Sequence, residues 1–260
     1  MKDPPRIDKD RTILETIEIL NKKSLDSVCV CDEEKIIGYI GYREILSKIG
    51  TERSRIISIG SLYNSGFVNS FPTNLSNDTS IRKCAELMLD LKAPSLPVFY
   101  GETFLGVIFR RHMMRFVEDS SIPIGSIIRR EVPIIYPNNR VIHARRLMLD
   151  NNLLIIPVLN DEGKVIGAIS ESEIVNVLMD FHKYVSEKHQ RARIRELSIS
   201  TAMISKIPMV ESETSLSDVI RLLSKERAPG VIAIENEKFI GILTYNEILE
   251  YIMQSFPEGI

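Results

Sequence analysis

The chain has few of the features that place a protein in a specialised class. It carries three cysteines in 260 residues, an odd number that points to a reducing compartment and no disulfide framework. Its longest apolar run, Leu153 to Leu159, is seven residues, far below the roughly 20 that a helix needs to cross a bilayer. The opening Met1-Lys2-Asp3-Pro4-Pro5 has no apolar stretch of the secretory type, so the expected location is cytoplasmic. Charge of one sign is lacking too: 33 Lys and Arg stand against 35 Asp and Glu, for a net charge of −2. That balance gives no overall field for gripping nucleic acid or an anionic membrane, so neither is an expected partner and any anion site must be local. No Gly-rich phosphate loop and no HExxH pair is present, and no nucleophile, base and orienting group recur at workable positions. No catalytic residues are assigned and an enzyme is not expected.

What the chain does have is the material for a core and a repeat. Apolar residues make up 44% and charged residues 26%, the balance of a folded globular protein. Four segments share one pattern: Ile36-Ile37-Gly38-Tyr39-Ile40, Phe104-Leu105-Gly106-Val107-Ile108, Val165-Ile166-Gly167-Ala168-Ile169 and Phe239-Ile240-Gly241-Ile242-Leu243. Ile13, Ile81, Val141 and Leu216 lie 25, 25, 26 and 25 residues before those glycines. From each of them apolar residues recur at i+3 or i+4 and i+7, the face of an amphipathic helix. Short β-branched runs and polar turns such as Asn160-Asp161-Glu162-Gly163 then predict hairpins. A second helix is predicted after each glycine, near Arg43, Arg111, Ser172 and Asn246. The fold class is therefore α/β (α+β), built from four β-α-β-β-α units.

The repeats match by parity. Lys92-Ala93-Pro94-Ser95 to Gly106 aligns without gaps to Arg227-Ala228-Pro229-Gly230 to Gly241, so repeat two resembles repeat four. Glu33, Lys35, Ile37, Gly38, Ile40, Glu44 and Ile45 recur as Glu162, Lys164, Ile166, Gly167, Ile169, Glu173 and Ile174, so repeat one resembles repeat three. A duplicated two-repeat module is the simplest history, because a unit of about 55 residues buries too little surface to be secure alone. The expected division is 1–120, with repeats at about 1–50 and 60–118, and 121–260, with repeats at about 121–180 and 198–255. Each is a pseudo-symmetric pair. A long linker helix is predicted from about Ile174 to Leu197, carrying Arg191, Arg193 and Arg195 among its mixed charges.

Together these residues resemble the cystathionine-β-synthase (CBS) domain family, whose tandem pair is called a Bateman module. Pro133-Ile134-Ile135-Tyr136 and Pro208-Met209-Val210 look like its Pro-containing first strands, and Leu96-Pro97-Val98 and Ile156-Pro157-Val158 like its second. The resemblance implies binding of an adenosine-containing ligand, with AMP, ADP, ATP and S-adenosylmethionine as candidates and no required cofactor. In the family a Thr or Ser after the glycine contacts phosphate, the following Asp holds the ribose hydroxyls, and the segment before the second strand frames the adenine. Carried onto this chain, that implies Thr244 and Glu247 in repeat four, framed by Ala228, Pro229 and Gly230 and by Ile204 and Ser205. Ser170 and Glu173 are the counterparts in repeat three. The family's Asp position is held here by Glu44, His112, Glu173 and Glu247, and its hydroxyl position by Gly41 in repeat one and Phe109 in repeat two. Repeat two instead supplies cations, Arg110, Arg111, His112 and Arg115, of which Arg111 and Arg115 are assigned to phosphate.

Each feature also has a plainer explanation. Thr244 and Glu247 form a helix cap with or without a ligand, and an arginine cluster is commonly a solvated face. Cys29 and Cys31 share a strand face and, with Cys84, are expected in the core; neither they nor His182 and His189 predict a metal site. The leading expectation is a regulatory ligand sensor that forms a homodimer and signals to an effector protein by a conformational change. The alternative is a ligand-free dimerisation or protein-interaction scaffold.

Overall fold

The computed structural model describes residues 1–50 and 58–257. Repeat one runs β1 (Arg6–Asp8), α1 (Ile13–Lys23), β2 (Ser27–Asp32), β3 (Lys35–Gly41) and α2 (Tyr42–Lys48). Repeat two runs β4 (Leu75–Ser76), α3 (Ile81–Asp90), β5 (Ser95–Tyr100), β6 (Thr103–Phe109) and α4 (Arg110–Met113). Repeat three has α5 (Val141–Asp150), β7 (Ile155–Leu159), β8 (Val165–Ser170) and α6 (Glu171–Tyr184), with α7 (Glu187–Arg193) after it. Repeat four runs β9 (Met209–Glu211), α8 (Leu216–Glu226), β10 (Gly230–Glu235), β11 (Lys238–Thr244) and α9 (Tyr245–Ser255). The four spaced apolar residues are the first residues of α1, α3, α5 and α8. Ser80 and Ser215 cap α3 and α8 through their side chains, and Thr12 with Glu15 forms a capping box on α1, which ends each preceding loop and starts the helix there.

Each hairpin is antiparallel, and β1, β4 and β9 add in parallel to β2, β5 and β10. Repeat three departs from the predicted strand at Pro133 to Tyr136, which is reduced to a single parallel bridge between Ile135 and Val158. Pro133 has no N–H to offer and Pro137 closes the other side, so Ile135 alone makes ladder bonds, to the Pro157 carbonyl and from the Leu159 N–H. The linker also departs from the single predicted helix. Val185 is extended between α6 and α7, and Gln190 folds back so that its Nε2 donates to the Val185 and His182 carbonyls at 2.8 and 3.2 Å. Those bonds satisfy carbonyls that a continuing helix would have used.

The four glycines have a common cause. Opposite each, the hairpin register slips by one residue, at Val30/Cys31, Val98/Phe99, Val158/Leu159 and Ala233/Ile234. An incoming segment crosses there and exchanges two backbone hydrogen bonds with the residue after the glycine: Asn69 with Tyr39, Ile204 with Ala168, and Arg129 with Ile242. Met1 does the same with Val107. A Cβ on Gly38, Gly106, Gly167 or Gly241 would come closer than 3.0 Å to the crossing carbonyl oxygen. The segment that enters repeat one thus crosses repeat two, and the segment that enters repeat two crosses repeat one. Repeats three and four exchange their entry segments in the same way.

Contacts divide the chain into two compact units that follow parity and differ from the sequential halves 1–120 and 121–260: one holds 6–69 and 133–207, the other 1–5, 70–132 and 208–260. Entry segments and helices both draw that division. In the first unit Arg145 of α5 donates from Nε to the Leu46 carbonyl of α2 at 2.7 Å, and Asn21 Nδ2 donates to Asn176 Oδ1 at 3.0 Å. In the second, Arg82 of α3 donates to the Met253 carbonyl of α9 at 2.8 Å, and the Phe116 and Phe256 rings meet edge to face at 6.4 Å. Ile13, Leu20, Val141, Met148, Leu216 and Leu223 are fully buried under their sheets. Cys29, Cys31 and Cys84 are buried free thiols, and burial pushes Cys29 up to about 12.

Gly167→Val is expected to force the Ile204 crossing off β8 and lower the stability of the chain by about 2 kcal/mol or more, the combined scale of an overpacked site and lost hydrogen bonds. Urea unfolding followed by circular dichroism measures it, with Gly163→Val as control, since nothing lies within 4 Å of a Cβ there and the cost is confined to its positive φ.

Candidate functional site

The second helix of every repeat starts the same way. The residue before it is extended, and its N–H donates to a side chain three residues on: Gly41 to Glu44 Oε2 at 2.9 Å, Ser170 to Glu173 Oε2 at 3.0 Å, Thr244 to Glu247 Oε2 at 2.8 Å, and Phe109 to His112 Nδ1 at 3.3 Å. The predicted ligand positions are therefore also the third residues of capping boxes. What distinguishes the repeats is how much of that side chain remains available.

In repeat four Glu247 uses one oxygen for the cap. Oε2 accepts from both the Thr244 N–H and, at 2.5 Å, the Thr244 hydroxyl, and the cap leaves Oε1 out. The Thr244 Oγ1 in turn accepts from the Asn246 N–H at 3.2 Å. Gly230 pairs with Thr244 across the β10–β11 ladder, and the Tyr245 hydroxyl donates to the Ala228 carbonyl at 3.2 Å. Ala228, Pro229 and Gly230 are thus held alongside the α9 start. Arg129, on the segment crossing Gly241, is close enough to Glu250 to oppose the upward push that burial and Glu247 give that carboxyl.

In repeat three the carboxylate is more fully used. Glu173 Oε2 accepts from Ser170 on both its N–H and its hydroxyl, while Oε1 accepts from the Ser172 hydroxyl at 3.1 Å. Tyr42 of repeat one lies near it, its phenol pushed up by burial first and then by Glu173 and Asp26. Arg43 pairs with Glu171 at 2.7 Å, both side chains largely covered. In repeat one burial is the main cause holding Glu44 above the usual carboxylate value, and no hydroxyl stands at Gly41.

Ile204 and Ser205 belong to the unit of repeats one and three. Their segment crosses Gly167 and Ala168, so they lie beside the hairpin that ends in Ser170; the equivalent segment at Gly241 is Ile128 to Arg129. Sequence reasoning missed Arg129 and Tyr245. In the structure, short turns at 64–66, 124–126 and 199–201 each begin five residues before a crossing residue, Arg129 among them.

The cation cluster of repeat two is divided. Arg110 is buried and donates from Nε to the Ala93 carbonyl at 3.2 Å. Arg111, His112 and Arg115 line a pocket of about 700 Å³ with Met1, Ile220 and Ser224 among its other walls. Thr244 and Glu247 are not among its lining residues, so the structure does not join the two predicted groups into one pocket. Burial, with the Met1 amine, Arg111 and Arg115 adding to it, lowers His112 to about 4. The imidazole is neutral at pH 7 and so can act as a cap acceptor. Among the described residues no group of three or more His, Cys, Asp or Glu is placed to hold a metal, and no helix is long and apolar enough to cross a membrane.

The CBS domain family matches residues 1–51, 124–180 and 194–254, together more than half of the chain, and the chain belongs to that family. Repeat two lies between the matched segments and has the same element order. Protein MJ1225 from Methanocaldococcus jannaschii, put forward as an archaeal homologue of g-AMPK, superposes with a TM-score of 0.79 at 16% identity over 96% of each chain. A conserved protein from Pyrococcus horikoshii gives 0.63 at 16% identity, over 97% of this chain and 96% of that one. At such identities the likeness establishes the fold alone. Among curated proteins, uncharacterized protein MJ1404 from M. jannaschii is 25% identical over 149 residues, 56% of this chain and 35% of its own length. The match to MJ1232 of the same organism likewise spans 44% of that protein.

A histidine whose folded value lies below its unfolded one costs stability once the unfolded chain binds the proton that the folded chain refuses. For His112 that loss sets in as pH falls below the ordinary 6.5 and continues to about 4. His112→Gln keeps an acceptor at the cap and is expected to flatten that part of the stability-against-pH curve, measured by urea midpoints from pH 7 to 4.

Proposed function

We propose that the chain is a regulatory sensor of an adenosine-containing ligand, held at the α9 start of repeat four. The observation that carries this is the spare Glu247 Oε1. Capping occupies Oε2 alone, so the same carboxylate can hold the helix start and accept from a ribose hydroxyl, while the Thr244 hydroxyl and the first-turn amides suit a phosphate. Ala228 to Gly230 provide the adenine frame. Family membership supports a regulatory role, and g-AMPK homology, put forward for MJ1225, is extended to this chain as part of the same proposal. AMP, ADP, ATP and S-adenosylmethionine are the candidates. The reciprocal exchange of entry segments supports 1–120 and 121–260 as two tandem modules. A cytoplasmic homodimer that signals to an effector protein, with no catalysis of its own, completes the proposal.

A scaffold that binds no ligand is the second reading, favoured by the full commitment of Glu173 to its own helix start. Thermal unfolding against the four compounds separates the two. A ligand at 100 times its dissociation constant stabilises a fold by about 2.7 kcal/mol. One compound is expected to raise the midpoint of the wild type. Glu247→Ala should lose that rise and Glu247→Asp should keep it, since Asp218 shows that the shorter acid accepts from a capping serine, Ser215, at 2.7 Å. No rise with any compound favours the scaffold.

A further inference from the structure

A second pocket, in the unit formed by repeats one and three, is lined by basic groups of one sign. About 770 Å³ of space lies against the start of α5, Ile194 and Gly50, within the roughly 300–1,000 Å³ of small-molecule sites. Among the described residues its walls carry Arg140, Arg145, Arg146, Arg195 and His143 and no carboxylate, although the chain as a whole is nearly neutral. Arg145 is already engaged with the Leu46 and Ser47 carbonyls. Arg146 Nη2 lies 3.4 Å from His143 Nδ1, and a guanidinium can only donate.

Arg140 and Arg146 are exposed, and neither is paired with a carboxylate among the described residues. Arg140 is the N-cap of α5, where the helix end is itself positive, and Arg146 lies in its second turn. Arg140 occupies the N-cap without a side-chain cap, a position held by Thr12, Ser80 and Ser215 in the other repeats. Like charges around a positive helix end repel one another, and a multiply charged anion would reverse the sign of each contact. Arg140 and Arg146 stand about 9 Å apart along the axis at about 1.5 Å per residue, with Arg195 on a separate wall. Cations on more than one wall favour an extended anion over a single phosphate. We infer that this pocket binds a chain of phosphates, carried by a nucleoside triphosphate or an inorganic polyphosphate, through bidentate contacts to Arg140 and Arg146. None of the residues involved belongs to the α9 start, so the inference is independent of the adenosine site.

Isothermal titration calorimetry with inorganic tripolyphosphate at physiological salt tests it on the wild type, Arg140→Ala/Arg146→Ala and the exposed control Lys22→Ala/Lys23→Ala. The expected result is binding by the wild type at one site, weakened at least tenfold in the arginine pair and less than twofold in the lysine pair, with orthophosphate far weaker. Displacement of tripolyphosphate by ATP identifies a nucleoside triphosphate, and resistance to ATP identifies an inorganic chain; either is the chemistry inferred. Without ligand, the arginine pair should unfold at or above the wild-type midpoint, because it removes repulsion. No binding by the wild type, equal weakening in both pairs, or a lower ligand-free midpoint in the arginine pair would overturn the inference.

Discussion

The structure depends on a backbone carbonyl lying flat against each hairpin. At Gly38, Gly106, Gly167 and Gly241 a crossing segment meets the strand where a Cβ would stand, and two hydrogen bonds fix it there. That contact closes the exposed side of a two- or three-stranded sheet too small to stand alone. It also fixes which stretch of chain lies beside each second helix. Because entry segments are exchanged, Ile128 to Arg129 accompanies α9 although it precedes repeat three in sequence. Ile204 and Ser205 accompany Ser170 although they precede repeat four.

The second-helix starts apply one solution four times with four chemical outcomes. A capping side chain stabilises a helix by about 1 kcal/mol, and Glu44, His112, Glu173 and Glu247 all perform that service. Ligand binding has to use what capping leaves. In repeat one the carboxyl lacks a hydroxyl neighbour; in repeat two a neutral imidazole stands among cations; in repeat three Ser172 takes the second oxygen. Repeat four keeps one carboxylate oxygen outside the cap, beside the Thr244 hydroxyl and the 228–230 segment. Identical folds therefore differ at their helix starts through single side chains.

Much of this was legible in sequence because it is local. Helix starts at Ile13, Ile81, Val141 and Leu216 follow from apolar spacing, and the hairpin glycines from their repetition. The capping role of Glu247 follows from its distance to Thr244. The crossing of Gly167 by Ile204 and Ser205 was not legible: which hairpin a segment crosses is a long-range choice, and its composition of small and apolar residues suits any of the four. Arg110 could not be told from Arg111 for a similar reason, since one position of helical phase turns a guanidinium from solvent into a carbonyl-lined interior. The predicted linker helix failed at Val185 because Gln190, five residues on, supplies the bond that ends it. The Arg140 pocket was invisible because Arg195 and Gly50 reach it from distant parts of the chain.

Hydrogen–deuterium exchange, with and without a saturating adenosine compound, tests the central claim of a repeat-four ligand site most directly. The account predicts slowed exchange at 228–230, 244–247 and the crossing segment 128–129, with the Ser170 helix start unchanged. Slowed exchange at 170–173 without change at 244–247, or none at all with every compound, would contradict it.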